Sequence, residues 1–170
     1  MRTLLGTGLL GAMLATTPAA AQDFEGPWVA VAPGVVTIGL NIGGGVSYEY
    51  GISGGYLLPV GNLTLSVGAY FEHVVDGGGQ LMSVGPEAKL GAVVAGDKLF
   101  VYGLVGLGFG FVIAGQVGIF TFAPNLGGGA EYRLTNWLGV GGELEVDLFI
   151  GDGGGVPVLL DIQAVATFHF

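Results

Sequence analysis

The chain has 170 residues, of which 51% are hydrophobic and only 10% charged, with 36 glycines, no cysteine, a formal net charge of −9 at pH 7 and a mean hydropathy of +0.73. A soluble domain carries about 25% charged residues, so an ordinary solvated surface is excluded. The missing cysteines exclude disulfides, a lipid-modified anchor and thiolate metal sites, and four basic residues leave no footprint for nucleic acid.

Met1 and Arg2 supply a short positive segment, Leu4 to Ala15 an apolar one, and Ala19-Ala20-Ala21 an A-x-A site. Residues 1–21 therefore read as a secretory signal cleaved after Ala21, too short for the ~20 apolar residues of a spanning helix. Residues 22–170 form one domain. Their hydrophobicity is interrupted by glycine throughout, and each glycine costs ~1 kcal/mol in a helix interior. Only helices and closed barrels satisfy every backbone group in lipid, which leaves a membrane β-barrel.

Eight alternating segments follow: Trp28–Ile42, Val46–Leu58, Leu63–Val74, Leu81–Val94, Leu99–Ile113, Val117–Tyr132, Leu138–Ile150 and Val158–Phe170. Three breaks, 59–62, 95–98 and 133–136, are short turns at one end. Four glycine-rich breaks, 43–45, 76–79, 114–116 and 151–155, lie at the other. The expected fold is all-β, an eight-stranded antiparallel up-and-down transmembrane β-barrel whose even strand count returns both termini to the same side.

One face of these strands is free of charge, from Tyr48, Tyr50 and Ile52 through Leu107, Phe109 and Phe111 to Leu144, Val146 and Leu148. The opposite face holds Glu49, Glu72, Glu87, Lys89, Glu131, Arg133, Glu143, Glu145, Asp147 and Asp161, separated by glycines. A secreted soluble barrel carrying an apolar ligand would turn the apolar face inward. The charged face is too glycine-rich for a solvated surface, and the apolar face too aromatic for so narrow an interior, so the membrane orientation is expected. Two aromatic girdles are expected with it: Tyr56, Phe100, Tyr102, Tyr132, Trp137, Phe168 and Phe170 at the turn end, and Tyr48, Tyr50, Phe71, Phe109, Phe111, Phe120 and Phe122 at the other.

In the last segment Leu160, Ile162, Ala164, Ala166, Phe168 and Phe170 share the apolar face. The stretch Gly127-Gly128-Gly129-Ala130-Glu131-Tyr132-Arg133-Leu134-Thr135-Asn136-Trp137-Leu138-Gly139-Val140, followed by this strand and Phe170, resembles the penultimate-turn region of small OmpA/OmpX-type outer-membrane barrels. The resemblance covers the mature chain in layout and about fourteen residues plus the terminus in motif. It implies residence in the outer membrane of a Gram-negative cell, a structural or surface envelope role, and lipid as partner. It also implies that Phe168 and Phe170 are read by the barrel assembly machinery, with periplasmic chaperones on the way. Pro86 and Pro124 interrupt strands of a sheet without edges, and bulges or strand ends are expected there.

No catalytic, cofactor or metal site is expected. The histidines, His73 and His169, lie in no Ser-His spacing, the glycine runs precede no helix, and the acids form no calcium-loop pattern. The remaining chemistry belongs to the lumen, where eight acids face Lys89 and Arg133. Glu143, Glu145 and Asp147 recur at about 6.8 Å, a spacing at which neighbouring carboxylates repel by roughly 2.4 kcal/mol at an effective dielectric of about 20. Either this charge is satisfied in a polar plug, or the barrel is a small cation-preferring pore with cations as lumen partners.

Overall fold

The computed structural model describes residues 24–39, 46–76, 79–114, 117–151 and 156–170; the expected signal, 1–21, lies outside the described residues. The described residues form eight strands, β1 (Gly26–Gly39), β2 (Val46–Val60), β3 (Leu63–Asp76), β4 (Gly79–Val94), β5 (Leu99–Ala114), β6 (Val117–Arg133), β7 (Leu138–Leu148) and β8 (Val158–His169). Each pairs antiparallel with its sequence neighbour and β8 returns to β1, closing the barrel. The shortest strand, β7, has 11 residues, enough to cross a hydrocarbon layer, for which ~9–11 tilted residues are needed.

Alternation sorts the side chains as the sequence pattern requires. Ile52, Leu90, Leu107, Phe109, Phe120, Leu126 and Leu144 are among the large apolar side chains exposed on the outside, while all ten charged residues of the other face are buried. Among the described residues the phase changes once, in β1. Between Ala32 and Val35 the register of β1 slips by one residue against both β2 and β8, so the strand carries a one-residue bulge at Pro33-Gly34. Proline fits there because a bulged residue sits outside the ladder and needs no N–H.

Pro86 and Pro124 behave otherwise than expected: neither makes a bulge nor ends a strand. Pro86 stays in register with Ala69, and the β4–β5 ladder skips only residues 85 and 86 before resuming unshifted at Glu87 and Gly106. Pro124 pairs with Leu107 on one side; on the other the β6–β7 ladder stops at Asn125, and Phe122 bridges Ile150 in the same register beyond the gap. Each ring costs ladder bonds on one side only, and the intact neighbour holds the phase.

The turn end is tight. Gly61 (φ 65°) turns β2 into β3, and Ala95, Gly96 and Asp97 at φ 56°, 68° and 68° turn β4 into β5. In the β6–β7 turn the Thr135 hydroxyl oxygen accepts the backbone N–H of Leu138 at 3.0 Å and that of Trp137 at 3.3 Å. Strand closure ends on Phe170, whose N–H donates to the Pro27 carbonyl at 3.0 Å.

Candidate functional site

The interior is where the sequence concentrates its chemistry, and glycines make the room for it. Glu72 lies in register opposite Gly51, Glu87 opposite Gly68 and Gly106, Glu131 opposite Gly141, Glu143 opposite Gly129 and Glu145 opposite Gly127. A Cβ on Gly129 would come within 2.8 Å of the Glu143 Cγ and 2.9 Å of the Tyr102 hydroxyl. Acidic side chains thus lie across bare backbone, which makes room in a narrow barrel for long side chains at native packing density.

At mid-barrel Lys89 is the organising cation. Its Nζ lies 2.6 Å from Glu143 Oε1 and 3.6 Å from Glu87 Oε1. Tyr102 donates its hydroxyl to the same Glu143 oxygen at 2.5 Å, and the ammonium stands 5.1 Å from the Trp28 ring centroid and 5.2 Å from that of Tyr102. A buried ion pair survives its desolvation cost only where further hydrogen bonds and contacts surround it, and here two carboxylates and two aromatic faces do so.

The other charged residues fall into smaller groups. Asn125 and Gln163 donate amide N–H to the two Glu145 oxygens at 3.2 and 3.3 Å, and Ser83 donates to Glu72 at 2.8 Å. Asp161 is fully buried in register with Glu145, and Asp147 is in register with Asn125. Glu131 pairs with His169 Nε2 at 2.7 Å toward the turn end, where the Arg133 guanidinium carbon lies 3.9 Å from the Phe24 ring centroid. Glu49 is buried on β2.

Sequence reasoning missed the aromatic part of the interior. Phe100 and Tyr102 do not join the outer girdle: at 2% and 8% exposure they point into the barrel. They alternate with half-buried Leu99 and Val101, so strict parity along β5 carried the signal. With Phe24, Trp28 and Leu57 they fill the turn end, while Ala123, Phe149 and Leu159 fill part of the other. The remaining girdle residues stand outside as expected, Trp137 stacking on Phe168 at 6.3 Å and Phe109 on Phe120 at 5.6 Å.

Among the described residues, two interior cavities of about 20 Å³ each lie one beside Tyr70, Glu72, Glu87 and Glu145, the other beside Trp28, Ser66, Lys89 and His169. Each holds about one water, since a water needs at least ~10–15 Å³. His73 lies on the outside, its Nδ1 bonded to the Tyr50 hydroxyl and its Nε2 3.3 Å from Gln80 Oε1. Among the described residues no serine hydroxyl is bonded to a histidine, and no group of three or more acidic or histidine side chains is placed to hold a metal ion.

No protein-family model matches the chain, and no curated protein matches it in sequence. Solved structures do match in shape. Neisserial surface protein A superposes with a TM-score of 0.59 at 15% identity, covering 85% of this chain and 96% of that one. Ail, the attachment invasion locus protein of Yersinia pestis, gives 0.58 at 15% identity over 86% and 99%. The N-terminal β-barrel domain of Pseudomonas aeruginosa OprF gives 0.50 at 17% identity over 85% and 99%. At such identities the likeness is one of fold: the small eight-stranded barrel of outer-membrane proteins.

Proposed function

We propose that this chain is an integral outer-membrane barrel with a structural or surface role in the cell envelope, and that its acidic interior is a closed polar plug. The observation that carries the reading is the inversion of polarity. Leu107, Phe120, Leu126 and Leu144 are more than half exposed, at 55%, 64%, 66% and 52%, while ten charged side chains are buried inside. A water-soluble fold does not expose an apolar belt encircling the molecule, and lipid is the solvent in which this belt is the low-energy surface. This speaks against a secreted carrier of apolar ligands.

The plug reading rests on the water-sized cavities and on the bonds tying Lys89, Tyr102, Glu87 and Glu143 across the lumen. The same reading takes Phe168 and the exposed Phe170 as the face offered to the assembly machinery, and residues 1–21 as the export signal. Planar-bilayer recording tests the plug. Barrels that insert, as shown by heat-modifiable migration, should give no stable conductance in molar KCl. A steady cation-selective step, lost when Glu143, Glu145 and Asp147 are neutralised together, would replace the plug by the small cation-preferring pore.

A further inference from the structure

Phe24 precedes the first strand and yet is fully buried. The β1–β2 ladder begins at Gly26 and the β1–β8 ladder at Trp28, so no strand pairing holds Phe24 in place. Its ring is seated by side chains of the turn end. The centroid lies 3.9 Å from the Arg133 guanidinium carbon, 5.7 Å from the Phe100 ring, tilted, and 6.0 Å from the His169 ring, edge to face.

We propose that Phe24 is a stopper, hinged at Gly26, that shuts the turn-end chamber of the lumen around Lys89 and Ser66 from the surrounding water, an inference that deepens the plug reading above and rests on it.

The hinge is the first argument. Gly26 has φ 113°, where only glycine sits without strain, and a Cβ there would stand 3.0 Å from the Phe170 carbonyl oxygen. Directly after it the chain is anchored, because the Phe170 N–H donates to the Pro27 carbonyl at 3.0 Å. Directly before it Glu25 is exposed. Rotation at Gly26 therefore moves Phe24 without breaking a rung of the sheet, which places the stopper among the parts of the fold that open at least cost.

The seat is the second argument. Arg133 is fixed by its own backbone, whose N–H donates to the Lys98 carbonyl at 2.7 Å, and Phe100 is buried and stacks at 4.7 Å on Tyr102. The ring thus enters a preformed aromatic and cationic socket. Contacts of this kind are individually weak, so they favour the closed form without locking it.

The chamber behind it is the third. Phe100 and His169, which Phe24 touches, also line the cavity of about 20 Å³ that holds Trp28, Ser66 and Lys89. The Trp28 Nε1 and the Ser66 Oγ are buried there without a hydrogen-bond partner. A polar chamber with unspent donors and acceptors takes up water once its mouth opens, and an aromatic ring across the mouth is what keeps bulk water out.

Thiol accessibility tests the proposal. The chain has no cysteine, so Ser66→Cys places a single thiol in the chamber. In barrels held in detergent, with folding verified by heat-modifiable migration, its reaction with a charged, water-soluble methanethiosulfonate should be slow. Adding Phe24→Ala should speed it about tenfold, the order expected when the contacts holding a local closed form are lost. Gly26→Ala keeps the ring but strains the hinge and should speed the reaction by a smaller factor. A Thr121→Cys thiol, buried toward the other end, should react at one rate with and without Phe24→Ala. An unchanged rate at position 66 in Phe24→Ala overturns the proposal and leaves the closed plug standing. An unchanged rate in Gly26→Ala overturns the hinge and makes Phe24 a fixed part of the core. Equal acceleration at positions 66 and 121 also overturns the proposal, because the barrel has then loosened as a whole. Fast reaction of Ser66→Cys with Phe24 and Gly26 in place removes the plug reading, and the proposal with it.

Discussion

Glu145 stands directly across the β6–β7 ladder from Gly127, and a Cβ on Gly127 would lie 2.8 Å from the Glu145 Cγ and 2.3 Å from the Leu144 carbonyl oxygen. The same arrangement recurs at Glu143 with Gly129, so bulk on one strand is matched by bare backbone on the next.

Gly127→Ala should therefore destabilise the barrel by about 1–3 kcal/mol, the usual cost of overpacking a filled core. Gly103→Ala, on the outer wall with its nearest atom 3.9 Å away, should be neutral or stabilise by up to ~1 kcal/mol by restricting the unfolded chain. Reversible urea unfolding in vesicles, followed by tryptophan emission, compares the two. Equal effects would mean that interior glycines do not serve the acidic side chains.

Lys89 is the second test. Lys89→Met leaves Glu143 and Glu87 buried without their cation and should cost about 3–5 kcal/mol. Adding Glu143→Gln should recover part of that loss, because the second change removes the stranded charge. A strictly additive double-mutant cycle would show that the 2.6 Å pair contributes no coupling.

Leu107 is 55% exposed in the middle of the outer belt. Leu107→Arg should cost about 2–4 kcal/mol in a bilayer, whereas Glu145→Gln, buried in the interior, should cost less. An arginine tolerated without loss, in protein that remains monomeric without detergent, would contradict the proposed lipid contact.

Ala95 occupies the left-handed region at φ 56° without the side-chain hydrogen bonding that lets Asp or Asn sit there. Ala95→Gly should raise stability by about 1 kcal/mol, read as a shift of the urea midpoint at constant slope. No shift would mean that the turn relaxes without cost.

Strand positions were legible because period-two alternation is enforced by two solvents of opposite character, one on each side of a wall a single residue thick. The predicted Leu63–Val74 and the observed Leu63–Asp76 differ only at the outer end, where the ladder runs on through Val75 and Asp76. The ten charged side chains inside obey the same parity, and so do Phe100 and Tyr102, whose aromatic type alone would place them in the outer girdle. Prolines misled for a related reason. The ladder tolerates a missing donor at Pro86 and Pro124 since the neighbouring strand preserves register, while the bulge fell at Pro33-Gly34.

Partnerships inside the lumen were not legible. Lys89 and Glu143 are 54 residues apart, and their meeting depends on stagger accumulated across several strands. The Phe24 contact with Arg133 joins a residue before the first strand to the end of the sixth. No local pattern encodes either, because both follow from how the sheet closes.

The pairing of large acids with glycines gives the wall a kind of interchangeability. At the rungs where Glu72, Glu87, Glu131, Glu143 and Glu145 face a glycine, one position is voluminous and one vacant, and what the outer surface sees is the same whichever strand holds which. Polarity, charge and even the sign of the interior could be rewritten rung by rung through compensated exchanges, with the lipid-facing surface as the part that stays fixed.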